Sequence, residues 1–291
     1  MAVTQSDLIT DVTRIIQDSS YDSIEQLTFL NQAMQEVAGH PSVLLQDLET
    51  EDDLTTSTTN PYTPLPSNYQ KNLFYVYNAT KYWQVAIRAS LGDMLRRYHK
   101  LDQSGSISSL TIRGRYLHYQ RIPSSAETLE VHYYRKPYDM ATLTGGSDIS
   151  FTASTLRIAD AGNDLGDFYA GQTIDITGTT SNNTSFVIDS VESDGSYLTT
   201  TVAPTDESNQ SAIIKSRPDG IPEHLIKPLL LNHACSSIFS EIEEGVEGNK
   251  TNTLYHDGKF KEAMGALIGF IGPEGRRPQP INDEMDMEAY V

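Results

Sequence analysis

The sequence is poor in cysteine, tryptophan, positive charge and long apolar runs. Its 291 residues include a single cysteine, Cys235, which excludes a disulfide framework and a cysteine-based metal site. We expect this thiol to be a small buried hydrophobe. No apolar run approaches the ~20 residues that span a bilayer, and the N-terminus lacks the features of a secretory signal. The chain is therefore expected to have no membrane partner and to fold in the cytoplasm.

Positive charge is scarce and unevenly placed. The chain carries 21 Lys and Arg against 39 Asp and Glu, a net charge of -18, which argues against tight, sequence-specific nucleic-acid binding. Residues 151–214 hold nine acidic side chains against one arginine, whereas residues 88–136 hold nine basic ones against four acidic ones. Arginines spread over several elements favour pairing with acidic neighbours in an assembly, with a DNA channel as the alternative. The candidate interface or channel residues are Arg88, Arg96, Arg97, Arg113 and Arg115.

Both ends of the chain show apolar residues at helical spacing. Residues 7–18 and 23–38 predict a helical hairpin, whose first helix is expected to begin behind a Ser6 cap. Residues 222–242 predict one long apolar helix, and residues 252–270 predict a last helix. We expect these segments to form a helical bundle built from both chain ends.

Between the helices, five segments have the composition or the alternation of β-strands. The last three are expected to form one antiparallel sheet with tight turns at Gly114 and Pro123 and with tyrosines along one face. A carbohydrate platform is the alternative explanation for the 16 tyrosines, although Tyr is also common in sheets and interfaces. The five segments are 73–77, 82–87, 108–113, 115–120 and 128–134.

A Ser/Thr/Gly/Asp-rich segment interrupts this pattern at residues 144–216. Short β-rich pieces separated by Gly, Asn and Asp turns predict a small all-β sandwich or barrel. The predicted fold class is therefore α+β, with a core formed by residues 1–143 and 217–271 and an inserted acidic β-domain. Residues 272–291 contain three prolines and few apolar residues, which predicts an extended C-terminal tail.

No group of residues matches a catalytic motif. The acidic run 160–167 has the spacing of a calcium loop but lacks the bidentate Glu, so a turn is the preferred interpretation. His118 and His132 lie in separate predicted strands and could meet across the sheet. Glu127 and Glu130 are one of several carboxylate pairs that nothing singles out. We therefore predict no enzymatic activity, no cofactor and no metal.

Three short motifs carry a resemblance to a known family. They are Leu65-Pro-Ser-Asn-Tyr69 before the strands, Tyr133-Tyr-Arg-Lys-Pro137 after them, and the late helix that contains Asn232, Ala234 and Glu241. In this order they resemble the head-to-tail adaptor (connector) proteins of tailed bacteriophages. The resemblance covers the chain except for the insert and the extreme tail, and the insert departs from the minimal adaptor.

This resemblance implies a structural virion protein made in the host bacterial cytoplasm. It implies a ring of identical subunits, expected to be dodecameric, in the head–tail neck between the portal protein and the next tail or neck component. The ring would line the channel through which double-stranded DNA passes without sequence-specific binding. The C-terminal tail would bind the portal through Arg276, Arg277, Ile281, Met285, Met287, Tyr290 and Val291.

A tail-associated receptor-binding or fibre-attachment protein is the alternative. It would explain the Ser/Thr/Gly-rich insert and the tyrosines. It also predicts repetitive, trimeric β-structure along the whole chain, which the helical ends contradict.

Overall fold

The computed structural model describes residues 2–146, 148–244 and 250–271. The helices are α1 (Gln5–Ile16), α2 (Ser23–Gly39), α3 (Leu91–Arg97), α4 (Glu223–Ile226), α5 (Asn232–Ile242) and α6 (Thr251–Ile271). The strands are β1 (Glu49–Thr55), β2 (Tyr62–Pro64), β3 (Tyr69–Asn78), β4 (Trp83–Gln84), β5 (Ala86–Ile87), β6 (Ser109–Arg113), β7 (Tyr116–Tyr119), β8 (Thr128–Arg135), β9 (Thr142–Thr144), β10 (Ile149–Thr152), β11 (Arg157–Asp160), β12 (Thr173–Thr177), β13 (Ser185–Val191), β14 (Tyr197–Thr200), β15 (Glu207–Gln210) and β16 (Ile213–Ser216). This mixture of helices and antiparallel sheets confirms the predicted α+β class.

The chain divides into two compact units. Residues 1–40 and 137–270 contribute to the first, which we call the helix–sheet unit, and residues 41–136 to the second, which we call the sandwich unit. The N-terminal and C-terminal helices thus share a unit with the strands of the predicted insert. The sequence-based division into a core, an insert spanning residues 144–216 and a tail stays a prediction.

The first two helices begin at reciprocal capping boxes. The Thr4 hydroxyl oxygen accepts a hydrogen bond from the Asp7 backbone N–H at 3.1 Å, and the Asp7 carboxylate accepts one from the Thr4 N–H at 3.0 Å. The predicted Ser6 cap is wrong, because Ser6 already lies inside α1 and Thr4 has the extended backbone of a cap. Asp22 and Glu25 form the equivalent box at the start of α2.

The predicted long helix is present, since residues 223–242 are helical throughout, but it contains one π-helical turn. Between α4 and α5, residues Lys227–Leu231 form a π-helical turn. Pro228 explains this turn, because proline has no N–H to donate and its ring clashes with the carbonyl four residues earlier. The Asn232 side chain instead donates to the Pro228 carbonyl at 2.7 Å. The wider turn lets the consecutive residues Leu229 and Leu230 both be fully buried.

Polar contacts join the helices of the helix–sheet unit. The Lys227 ammonium lies 2.8 Å from the Asp11 carboxylate on α1, and the Tyr21 hydroxyl donates to Glu241 on α5. The Phe260 ring on α6 packs edge-on against His233 of α5. The helices from the two chain ends therefore contact one another in this unit.

Eight strands of the same unit form one antiparallel sheet in the order β15-β10-β11-β14-β13-β12-β16-β9. Of the predicted sandwich or barrel, a closed barrel is not confirmed, since the described strands leave β15 and β9 at the edges; the sandwich alternative stays a prediction. Alternate residues of these strands, including Phe151, Ile174 and Leu198, share one apolar core, so the sheet curves around it. Side chains of α1 and α2 bond the chain at the start of β9. The Thr142 hydroxyl donates to the Gln5 side chain, and the Asn31 side chain bonds both the N–H and the carbonyl of Met140.

The sandwich unit consists of two four-stranded sheets, β1-β8-β3-β4 and β2-β7-β6-β5, on either side of a common core. Strands β6 and β7 form the predicted hairpin across Gly114. The predicted three-stranded meander is wrong, because β8 pairs with β1 and β3 in the other sheet. There, Val131 and Tyr133 fill the core from the opposite side. The expected single tyrosine face is also absent from the described residues, since Tyr119 and Tyr133 are buried.

Candidate interaction surface

The structure places all five predicted arginines in the sandwich unit. Arg96 and Arg97 are exposed at the end of α3, which contacts β6, and Arg113 and Arg115 are exposed on either side of the Gly114 turn. Arg88 follows β5 and is half-buried. The strand β5 pairs with β6, so the five positions lie on or beside the sheet β2-β7-β6-β5.

Exposed aromatic side chains lie beside two of these arginines. The ring centroids of Tyr62 and Tyr116 are 5.1 Å apart, and those of Tyr62 and His118 are 5.4 Å apart. Tyr116 is the direct cross-strand partner of Arg113, so the two side chains share a face of the sheet. We call Tyr62, Arg113, Arg115, Tyr116 and His118 the hairpin patch. Tyrosine and arginine are among the residues most enriched at the energetic centres of protein interfaces.

The electrostatics of the hairpin patch are set by its cations. Burial, together with the nearby Arg113 guanidinium, lowers the pKa of His118 from its usual value. His118 is therefore neutral near pH 7, and the positive charge of the patch comes from Arg113 and Arg115. A surface of this kind is suited to carboxylates or phosphates.

The outer face of the other sheet is acidic. Strand β1 lies at the edge of its sheet and exposes Glu51, Asp52 and Asp53 in succession. Glu51 and Asp53 lie on this outer face, whereas Asp52, opposite the core residue Val131, is exposed at the sheet edge. The neighbouring strand β8 presents Glu130 and His132, with His132 Nε2 at 2.8 Å from Glu130 Oε1 and 3.9 Å from Glu51 Oε2. The sandwich unit thus presents basic and aromatic groups on one sheet and acidic groups on the other.

The two units differ strongly in charge. Residues 1–40 and 137–270 carry 25 acidic side chains against eight basic ones, whereas residues 41–136 carry nine acidic ones against eleven basic ones. The net negative charge of the chain therefore resides almost entirely outside the sandwich unit.

The carboxylates that the sequence offered as catalytic or metal-binding candidates make hydrogen bonds within the fold. Glu127 is buried and accepts a hydrogen bond of 2.6 Å from the Asn78 side chain, whereas Glu130 bonds His132 at the surface. Asp160 accepts from the Asp164 backbone N–H within a turn, as the sequence predicted for this acidic run. The two carboxylates Glu127 and Glu130 accordingly do not converge in a cleft.

Three further predictions concern single residues or the tail. Cys235 is buried as predicted, and burial raises its pKa to about 12. His118 and His132 do not meet, because their strands belong to different sheets. The predicted portal-binding residues lie outside the described residues; they are Arg276, Arg277, Ile281, Met285, Met287, Tyr290 and Val291.

Sequence reasoning missed most of the hairpin patch. It singled out Arg113 and Arg115, but Tyr62 lies in a Pro-rich segment outside the five predicted strands. The alternation Tyr116, His118 was visible, yet the pairing of β2 with β7 that brings Tyr62 beside it is a long-range contact.

Comparison with known protein families shows the class of protein to which this chain belongs. A family model described as SU10 adaptor protein matches residues 3–170, which is more than half of the chain and includes α1, α2 and the whole sandwich unit. The protein is thus a bacteriophage adaptor, a structural component of the virion. It belongs to the SU10 adaptor protein family.

The match confirms the resemblance to a phage adaptor protein, whereas the head-to-tail connector role and the inserted β-domain stay predictions. It ends within the predicted insert, between β11 and β12. No curated protein matches the chain. Across the described ranges, we find no helix with the length and apolar character required to cross a membrane.

Proposed function

We propose that this adaptor forms a dodecameric ring in the head–tail neck, between the portal protein and the next tail component. The observation that carries the proposal is the family match over residues 3–170, because it includes the complete sandwich unit with its five arginines. In this proposal the protein is structural, has no catalytic activity and needs no cofactor.

The sandwich unit offers a way to join the subunits. Its hairpin patch is basic and aromatic, whereas β1 on the other sheet exposes Glu51, Asp52 and Asp53. Contact between two different surfaces of the same chain is heterologous, so every added subunit leaves one surface of each kind free. Such contacts close into a ring when the rotation between neighbours allows it. We propose that the hairpin patch of one copy binds the acidic edge of the next.

The charge of the helix–sheet unit suits the walls of a DNA channel. Its excess of acidic side chains would repel phosphates, so DNA could pass without being held. We propose that the helices from both chain ends pack as one bundle and line the channel, with the sheet of residues 144–216 on the outside of the ring. The arginines would then serve subunit contacts instead of DNA.

The C-terminal tail is the proposed portal contact. Arg276 and Arg277 would pair with portal carboxylates, and the apolar side chains from Ile281 to Val291 would fill clefts between portal subunits. Ordering of an extended segment on binding would make assembly depend on the portal as a template.

Electron microscopy of the purified protein, alone and mixed with the portal protein of the same phage, tests the proposal. A ring that caps the portal in the mixture is the expected result. Absence of association, with compact monomers or trimers in both samples, would contradict it and favour the receptor-binding alternative.

A further inference from the structure

Three side chains with metal-binding chemistry converge on the acidic sheet of the sandwich unit. Glu51 on β1 is the direct cross-strand partner of His132 on β8, and Glu130 precedes His132 by two residues. Residues two apart on a strand, and residues directly opposite across a pair, lie on the same face. The fold therefore presents two carboxylates and one imidazole together on a β-sheet framework.

The distances match the size of one metal ion. His132 Nε2 lies 2.8 Å from Glu130 Oε1 and 3.9 Å from Glu51 Oε2, and the ligand atoms all lie within 4.8 Å of one another. Zinc–nitrogen and zinc–oxygen bonds of about 2.0–2.2 Å place tetrahedral ligands about 3.4 Å apart. The two observed distances bracket this value, so small side-chain rotations would complete the site.

The surroundings favour a cation. Asp53 is the cross-strand partner of Glu130, and like charges placed directly opposite destabilise a strand pair. Within the described residues, no Lys or Arg forms an ion pair with Glu51 or Glu130. The Tyr75 ring lies edge-on to the His132 ring with centroids 5.1 Å apart, which restricts the orientation of the imidazole.

We propose that Glu51, Glu130 and His132 bind one divalent transition-metal ion of the zinc type. Imidazole and carboxylate are ordinary ligands of such ions, and three protein ligands leave a coordination position for water or for a group from a partner. The site is accessible, since the side chains of Glu51, Glu130 and His132 are 71%, 37% and 26% exposed. All three ligands come from one copy, so the site exists in the unassembled chain; in the proposed ring, Glu51 belongs to the acidic edge that the neighbouring hairpin patch would cover.

A second histidine–carboxylate pair provides a matched control. His233 Nε2 lies 2.6 Å from Glu36 Oε2 on the helices, with no third ligand among the described residues that meets the same distance limit. A histidine paired with one carboxylate should bind zinc far more weakly than the three-ligand set.

Calorimetric titration of the full chain with zinc chloride tests the proposal, with absorption of the cobalt(II) form as a second readout. The expected result is one equivalent of zinc per chain and the intense visible bands of low-symmetry, four-coordinate cobalt. Glu51→Gln and His132→Gln should each weaken zinc binding at least about tenfold. Removing an outer hydrogen-bond partner of a metal ligand already weakens metal binding about tenfold or more, and removing a ligand itself should cost no less. Glu36→Gln should leave binding unchanged.

Circular dichroism and Trp83 fluorescence will show that the Glu51→Gln variant is folded, which its exposed position predicts. Absence of zinc binding by the unmodified chain would overturn the proposal. So would binding that survives both Glu51→Gln and His132→Gln, or that is lost in Glu36→Gln.

Discussion

The sandwich unit and the helix–sheet unit differ in their balance of acidic and basic side chains. The whole chain is strongly acidic, yet residues 41–136 carry slightly more basic than acidic side chains. The net charge of the whole chain therefore describes the helix–sheet unit and does not describe the sandwich unit. The acidic unit is suited to repel DNA, and the balanced unit, with opposite charges on its two sheets, is suited to bind copies of itself.

The two units can be followed separately by probes that the chain already contains. Trp83 is the single tryptophan and lies in the sandwich unit, where its indole N–H donates to the Ile107 carbonyl at 2.9 Å. Cys235 is the single cysteine and is buried in the helix–sheet unit. Fluorescence thus reports on one unit and thiol labelling on the other.

The largest expected effect is loss of assembly when the hairpin patch is reversed in charge. Arg113→Glu combined with Arg115→Glu should abolish ring formation, because the patch would then repel the acidic edge of the next subunit. Sedimentation velocity of the protein mixed with portal protein measures this. Lys81→Glu, an exposed change outside the patch in the same unit, is the control and should assemble normally. Normal assembly of the double variant would place the subunit contact elsewhere.

The next effect concerns the buried polar pair of the sandwich unit. Asn78→Ala should lower the free energy of unfolding by about 1–3 kcal/mol, because the buried Glu127 carboxylate loses its 2.6 Å hydrogen bond. Urea unfolding followed by Trp83 fluorescence measures the loss, with the exposed Gln84→Ala as control.

Labelling of Cys235 in the same urea series sharpens the comparison. If the units unfold independently, Asn78→Ala should leave the labelling midpoint unchanged. An equal shift of both probes would show that the two units unfold as one.

Added salt should raise the thermal stability of the helix–sheet unit more than that of the sandwich unit. Raising the ionic strength from about 0.02 M to about 0.5 M shortens the screening length and reduces repulsion among like charges. We expect the thermal transition reported by Cys235 labelling to move upward more than the one reported by Trp83. Equal shifts, or a larger shift for Trp83, would contradict the assignment of the charge imbalance to the helix–sheet unit.

The smallest expected effect is at the start of α1. Thr4→Ala should cost about 1 kcal/mol of stability, because it removes the side-chain oxygen of the capping box. Thr10→Ala is the control and should stay within about 0.5 kcal/mol, since the exposed Thr10 hydroxyl bonds the Ser6 carbonyl within the same helix. Urea unfolding followed by Cys235 labelling distinguishes the two.

The pH dependence of this cap has a definite sign. Hydrogen bonds from the backbone and side chain of Thr4 lower the pKa of Asp7. A lowered carboxyl pKa stabilises the folded state above the unfolded-state pKa, and this contribution is lost as the pH falls through the folded-state value. The difference between Thr4→Ala and the unmodified chain should therefore shrink in acid, and a difference that grows would contradict the capping box.

Local features were predictable from the sequence, and long-range ones were not. The box at Asp22 and Glu25 and the hairpin at Gly114 depend on neighbours a few residues apart, and both are present. The placement of β8 in the other sheet depends on a core shared by distant strands, which alternation alone cannot reveal.

The apolar spacing around Pro228 correctly predicted one long helix. It could not reveal the π-helical turn at residues 227–231, which reflects the hydrogen bond that proline removes. The candidate metal site, like the placement of β8, depends on a long-range strand pairing that the sequence pattern does not reveal. Glu130 and His132 are close in sequence, but Glu51 joins them only through the pairing of β1 with β8.

The most direct test of the central claim is the position of the sandwich unit in the assembled particle. Electron cryomicroscopy of the protein bound to its portal would resolve which unit lies between neighbouring subunits. We expect the hairpin patch around Arg113 and Tyr116 to face the acidic β1 edge of the adjacent copy. A ring whose neighbours contact only through the helix–sheet units, with the hairpin patch in solvent, would contradict the division of roles between the two units.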